Sequence, residues 1–200
     1  MTAGIRLIVG LGNPTARYEQ TRHNAGFWFL DRMAHQLRVA LRCEPRFQGV
    51  LGRCDGSKPL FLLKPLTYMN RSGQSVAAVA SYYKIGPSEI LVAHDELDLM
   101  PGAVRMKKGG GHGGHNGLRD LIAHLGTADF YRLRFGIGHP GERSAVVNYV
   151  LAPPSLGDAA LLDEAMTRAL AEIAAIVHGE FAQVMNRLHA ADRERKKDLT

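Results

Sequence analysis

His23 and Asp95 are the residues of this 200-residue chain best suited to move a proton near neutral pH. An imidazole titrates close to neutrality, and a carboxylate beside it can fix its tautomer. Both residues stand in polar clusters. Gly12, Asn13 and Pro14 run on to Tyr18, Arg22, His23 and Asn24, and a second cluster holds Thr67, Tyr68, Met69 and Asn70. His94, Asp95 and Glu96 form a third, and Lys107 and Lys108 lead into a fourth that contains His112, His115 and Asn116. A histidine and an aspartate among asparagines, with cations at the rim, suit base-assisted attack of water on a neutral ester. Histidine would take the proton, aspartate would set its tautomer, and amides would grip carbonyls and N–H groups. Such a reaction needs no covalent nucleophile.

Each residue taken singly has a plainer use. Asn24 stands before a helical stripe and is most simply an N-cap, and Asn116 before Leu118 admits the same reading. Asp95 after a strand could be a turn residue or an ion-pair partner, and an isolated histidine is more often structural than catalytic. The stretch Gly109 to Gly117 resists such a reading because six of its nine residues are glycine, a costly choice unless backbone must take special geometry or approach a ligand closely. A helix follows directly, so its N-terminus could receive an anion.

Several other chemistries are disfavoured. Gly10-Leu11-Gly12-Asn13-Pro14-Thr15 has two glycines of a dinucleotide fingerprint but Thr15 in place of the third. There is no phosphate-binding GxxxxGK[ST] run and no GxSxG nucleophile elbow. His112 and His115 are flanked by glycines without a carboxylate run nearby, so no metal is expected, and no cofactor.

The elements that must position these clusters alternate along the chain. Ile5 to Val9 is an apolar run typical of a strand buried on both faces, and Phe27, Leu30, Ala34 and Leu37 then recur at helical spacing. Leu60 to Leu63 predicts a second strand, Val76, Val79, Ala80 and Tyr83 a helix, and Ile90 to Ala93 a third strand. Leu118 to Leu125 predicts a helix closed by Gly126, and Tyr131 to Gly138 a further strand. Ser155 opens a long helix through about His178, and Glu180 to Ala190 forms another. The pattern predicts a single-domain α/β/α sandwich around a mixed, largely parallel twisted sheet, with Phe47 to Leu63 available as an antiparallel hairpin. The four clusters then fall beyond strand ends, where such sheets collect functional groups.

The formal net charge of +6 and pI near 9.5 favour an acidic partner such as nucleic acid. Part of that excess lies in Arg193, Arg195, Lys196 and Lys197, so residues 1–190 are expected to be the working domain and 191–200 a charged, disordered tail. The apolar N-terminal run breaks at Gly10, which argues against a signal peptide or membrane span, and Cys43 and Cys54 suggest neither a disulfide framework nor a zinc site. A cytoplasmic location is expected.

The blocks Gly10-Leu11-Gly12-Asn13-Pro14, Thr21-Arg22-His23-Asn24-Ala25-Gly26-Phe27, Lys64 to Gly73, His94 to Asp98, Lys107 to Gly117, Arg132 to Pro140 and Val147 to Leu151 resemble the signature blocks of bacterial-type peptidyl-tRNA hydrolases, in the family's order. The likeness runs from about residue 5 to about residue 187. It implies a monomeric enzyme without metal, cofactor or obligate protein partner, which hydrolyses the ester between a peptidyl group and the 3′ end of tRNA and so recycles tRNA from peptidyl-tRNA that drops off the ribosome. It implies that His23 is the proton acceptor, that Asp95 holds it in its basic form, and that Asn13 discriminates N-blocked from free aminoacyl-tRNA. Tyr18, Tyr68, Asn70 and Asn116 would contact substrate, Met69 and His115 would line the same cleft, and Lys107 and Arg134 would meet the tRNA backbone and terminal phosphate along the acceptor arm and CCA end. Two other readings stay open: a non-catalytic RNA-binding relative, against which the intact Asn13, His23 and Asp95 argue, and a nucleotide-dependent enzyme using Gly10 to Asn13 as a phosphate loop.

Overall fold

The computed structural model describes the backbone of residues 4–56 and 58–197, and the side chains of these up to residue 192. A seven-stranded sheet carries the chain's chemistry on its central strands. Its elements are β1 (Leu7–Gly10), β2 (Arg42–Glu44), β3 (Gly49–Cys54), β4 (Leu60–Pro65), β5 (Ile90–Glu96), β6 (Val104–Lys108) and β7 (Tyr131–Gly136). The spatial order is β2-β3-β4-β1-β5-β7-β6. Strands β4, β1, β5 and β7 pair in parallel, while β2–β3, β3–β4 and β6–β7 pair antiparallel. The sheet is therefore mixed and largely parallel, and the hairpin expected from Phe47 to Leu63 is β3–β4.

Side chains of β1 alternate between two cores because successive residues of a strand face opposite sides. Ile8 joins Phe29, Leu30, Leu91 and Leu133 on one face. Leu7 and Val9 join Phe61, Leu63 and Val92 on the other. Helices cover both faces. α1 (Ala25–Gln36), α5 (Leu156–Ala171), α6 (Ile173–His178) and α7 (Phe181–Lys197) supply the first core, and α2 (Ser72–Tyr82) and α3 (Asn116–Leu125) the second. A short helix, α4 (Val146–Val150), lies before α5. Ser155 caps α5 by accepting the N–H of Asp158 at 3.1 Å, and Gly126 ends α3 at φ +70°, as both residue types predict.

Four local expectations need correction. The single helix from Ser155 to His178 is broken at Glu172 into α5 and α6, and Arg187 of α7 grips the Glu172 carboxylate at 2.6 Å. Strand β6 was not expected, because Lys107 and Lys108 read as the start of a loop. Its alternation of buried Val104 and Met106 with partly exposed Arg105 and Lys107 is that of an edge strand protected by charge. Lys108, expected at the same rim as Lys107, ion-pairs with Asp129 at 3.2 Å instead.

The fourth correction concerns the end of the chain. α7 continues past Ala190 to Lys197, so a boundary at residue 190 cuts through a helix. Asp192 is only 2% exposed; its carboxylate accepts the N–H of Val104 at 3.2 Å and pairs with Arg105 at 3.4 Å. The side chains of Arg193, Arg195, Lys196 and Lys197 lie outside the described residues.

Loss of the Asp192 carboxylate leaves a buried N–H of β6 unsatisfied, which typically costs about 1–3 kcal/mol. Asp192→Ala should therefore lower Tm by several degrees in a thermal melt, and truncation after Ala190 by at least as much; an unchanged Tm in both would show that α7 does not clamp the edge strand.

Candidate active site

The N-terminus of α1 crosses directly over the ends of β1 and β5. Gly26 permits this, since a Cβ there would lie 2.3 Å from the carbonyl oxygen of Ala93 in β5 and 2.5 Å from the backbone nitrogen of Leu11. The turn before the helix, Arg22–Asn24, is thereby pressed against the carboxyl end of β5, and His23 meets Asp95.

His23 Nδ1 lies 2.9 and 3.0 Å from the two oxygens of Asp95, and both residues are buried. A ring nitrogen facing a carboxylate carries the proton, so Nε2 of a neutral His23 is the lone-pair end. Burial pulls the His23 pKa down, but the charge of Asp95 and its hydrogen bond outweigh it and leave the pKa raised above 6.5. Burial also disfavours the Asp95 anion, yet His23 and His115 together hold its pKa well below the ordinary carboxylate range.

His115 completes the group from the opposite side. It is the N-cap of α3, where its Nδ1 accepts the N–H of Leu118 at 3.3 Å while its Nε2 lies 3.0 Å from Asp95 Oδ1. A nitrogen that accepts cannot also carry a proton, so His115 is the neutral Nε2–H tautomer and donates to Asp95. Asp95 Oδ1 thus receives two donors. His23, Asp95 and His115 would also offer a metal three ligand atoms within 4.8 Å of one another, although Asp95 Oδ1 already meets a ring nitrogen of both histidines.

The asparagines are sorted by what holds them. The Asn24 side chain does not cap α1: it accepts the N–H of Asn13 at 2.8 Å and donates to the Asn13 carbonyl at 3.0 Å, clamping the loop after β1. Asn13 Oδ1 accepts the N–H of Met69 at 2.9 Å, and Asn116 Oδ1 accepts from Arg119 at 3.1 Å. In both, the amide NH2 is the end left to donate to a ligand carbonyl. The cap expected of Asn116 belongs to His115.

These groups open on one cavity of about 540 Å³. Asn13, Tyr18, His23, Asp95, His115 and Asn116 line it, as do Tyr68, Met69 and Asn70 from the turn after β4, and Lys107 and Arg134 from β6 and β7. Every site residue expected from the sequence is present. Tyr68 is 56% exposed and so offers its ring as a free face, whereas Met69 is buried. Arg134 is not a free cation, since its Nε donates to Glu96 at 2.8 Å.

Sequence reasoning missed several wall residues. Val146, Val147 and Val150 of α4, with Leu151 just after it, give the cavity an apolar side, and Arg132 lies in its floor beside His94 of the third cluster. Arg22 anchors that apolar side: its guanidinium donates to the carbonyl of Pro153 at 2.8 Å and stacks on Tyr149 at 4.1 Å. A lone Val-Asn-Tyr-Val-Leu run carries no chemistry, so only its place in the fold gives it a role. Among the described residues no helix is long and apolar enough to cross a membrane.

Comparison with known proteins identifies the family. The sequence profile of the family described as peptidyl-tRNA hydrolase matches residues 7–197. A peptidyl-tRNA hydrolase of Methylococcus capsulatus is 56% identical over 185 residues, covering 92% of this chain and 99% of that protein. One from Coxiella burnetii is 53% identical over 190 residues, covering 95% of this chain and all of the relative. The crystal structure of peptidyl-tRNA hydrolase from Acinetobacter baumannii superposes with a TM-score of 0.91 at 48% identity, covering 94% of this chain and 96% of that one. With its fold and nearly its whole length shared, the chain belongs to the peptidyl-tRNA hydrolase family.

Proposed function

We propose that this enzyme hydrolyses the ester joining a peptidyl group to the 3′ end of tRNA, with His23 as general base. The observation that carries this reading is the buried carboxylate of Asp95 holding His23 Nδ1 at 2.9 Å, with the ring on the wall of the cavity. Nε2 accepts a proton from water as the water oxygen attacks the ester carbonyl carbon. The imidazolium formed is stabilised by Asp95, and it returns the proton to the ribose oxygen as the tetrahedral intermediate collapses. Peptide acid and free tRNA leave. No step draws on a metal or cofactor.

Specificity follows from the amide donors. Asn13 NH2 suits a carbonyl of the peptide, whereas the cationic amine of a free aminoacyl group would be poorly solvated among donors. Asn116 and Asn70 extend that wall, and Tyr18 and Tyr68 offer stacking faces at the mouth. Lys107 and Arg134 lie where phosphates of the acceptor arm would pass, and the +6 charge aids encounter with tRNA. We place the enzyme in the cytoplasm as a monomer, with a folded body that reaches at least to Asp192.

His23→Ala should lower kcat by about two to four orders of magnitude while tRNA binding stays near wild type; near-normal turnover would remove His23 from the role. The acid limb of kcat/KM should have its midpoint above 6.5, because His23 must be neutral to act and Asp95 raises its pKa. Asp95→Asn removes that charge but leaves burial, so the limb should move to lower pH with a smaller loss of rate than His23→Ala gives. A limb that stays put would show that it reports another group.

Asn13→Asp puts an acceptor where a donor stood. It should narrow the ratio of activities on N-blocked and free aminoacyl-tRNA, and an unchanged ratio with retained activity would take Asn13 out of specificity. Lys107→Ala or Arg134→Ala should raise KM for peptidyl-tRNA and reduce its log–log salt slope by about one unit or somewhat less. Turnover of a minimal peptidyl-nucleoside ester should be largely kept, and equal damage to both substrates would show that these cations serve chemistry or folding.

A further inference from the structure

Arg132 is a buried cation that neither the proton transfer nor the phosphate contacts use. It lies in β7, only 1% exposed, and no described carboxylate forms an ion pair with it. Burying an unpaired charge is costly, so its two terminal nitrogens need fixed acceptors, the more so because its buried Nε finds none. The two terminal nitrogens donate to successive carbonyls of the glycine loop, to Gly111 at 2.6 Å and to Gly110 by a short bond. The guanidinium also lies 4.9 Å from the ring centre of Phe130.

The loop presents those carbonyls through backbone that suits glycine, with φ +68° at Gly109 and +95° at Gly110. A Cβ on Gly110 would also come within 3.1 Å of Lys107 Nζ. Beyond the anchored residues, the loop closes through the N–H of His115 donating to the His112 carbonyl at 2.9 Å, and His115 then reaches Asp95. The loop is therefore fastened at one end by Arg132 and at the other by Asp95.

We propose that Arg132 is a positioning residue for hydrolysis: its guanidinium fork latches Gly110 and Gly111 so that the loop delivers His115 to Asp95 and Asn116 to the substrate. The inference rests on the reading of His115 and Asn116 as working parts of the cavity wall. Arginine suits this task because its planar fork spans two successive carbonyls, which the single ammonium of lysine cannot do.

The test uses the full chain with Arg132→Lys, which keeps the charge and loses the fork. Turnover is measured on full-length peptidyl-tRNA and on a minimal N-blocked aminoacyl-nucleoside ester, and amide hydrogen exchange is followed across residues 109–117. The latch predicts faster exchange in that loop with β1 and β5 unchanged, and a fall in kcat of about 10- to 100-fold on both substrates, the scale of an ångström-sized misplacement. Gly110→Ala, which leaves Arg132 intact but strains the φ +95° position, should reproduce both effects. The double variant should be no worse than the worse single one, because both break the same contact.

If Arg132→Lys does not fold, Gly110→Ala alone carries the test. A loss confined to KM for full-length tRNA would make Arg132 a phosphate ligand and overturn the latch. Unchanged exchange in the loop would overturn it as well. Faster loop exchange with wild-type kcat on both substrates would keep Arg132 as a structural contact only and overturn it as a positioning residue for hydrolysis, and with it the working role of His115 and Asn116.

Discussion

A single buried carboxylate organises this active site. Asp95 is 3% exposed, and an anion at that depth is tolerated only where donors meet it. His23 and His115 supply two N–H groups to one of its oxygens, from opposite ends of the chain's chemistry. Because His115 accepts from α3 through its other nitrogen, its tautomer is fixed by the helix. It then serves as a permanent donor to Asp95, and His23 is left as the ring whose second nitrogen can act as a base. On the proposed mechanism, the arrangement separates two histidines of similar intrinsic chemistry into a support and a base. The surroundings of His23 are thereby tied to the folding of the glycine loop, since that loop brings His115 to Asp95.

The sheet provides the rest by placing loop ends rather than side chains. Neighbouring strands β4, β1 and β5 run in parallel, so the segments that follow them emerge together at one edge. Gly26 lets α1 settle onto that edge, and Asn24 ties the loop after β1 to the start of the same helix. Two buried arginines then fasten the flanking walls through backbone carbonyls: Arg22 holds the segment after α4, and Arg132 holds the glycine loop. Such contacts fix the walls of the cavity, and on the proposed function they leave Lys107 and the guanidinium nitrogens of Arg134 that Glu96 does not hold to meet a long polyanion at the mouth.

Much of this was legible in the sequence because it depends on local pattern. The apolar runs of β1, β4 and β5, the stripe of α3 with Gly126 behind it, and the polar clusters after the strands all announce themselves by residue type and spacing. What escaped depends on tertiary contact. Asn24 has the composition of a cap, yet it serves the neighbouring loop because Gly26 brings α1 so close. Strand β6 hides behind its lysines, since an edge strand needs only alternate apolar residues. Asp192 sits in a charged stretch that reads as solvated, and only the docking of α7 on β6 shows its partner to be a backbone N–H. Arg132 carries no signal of its own in the sequence. Its burial follows from the glycine loop folding over it, which no spacing records.

The most direct test of the account is the protonation state of the two histidines, read from ring-nitrogen NMR of the selectively labelled enzyme across a pH titration. The account requires neutral His115 to be the Nε2–H tautomer. It requires neutral His23 to be the Nδ1–H tautomer, with a pKa above 6.5 that coincides with the acid limb of kcat/KM. If His23 is found as the Nε2–H tautomer, or titrates away from that limb, the base is not the nitrogen that Asp95 leaves free, and the division of labour between the two histidines is wrong.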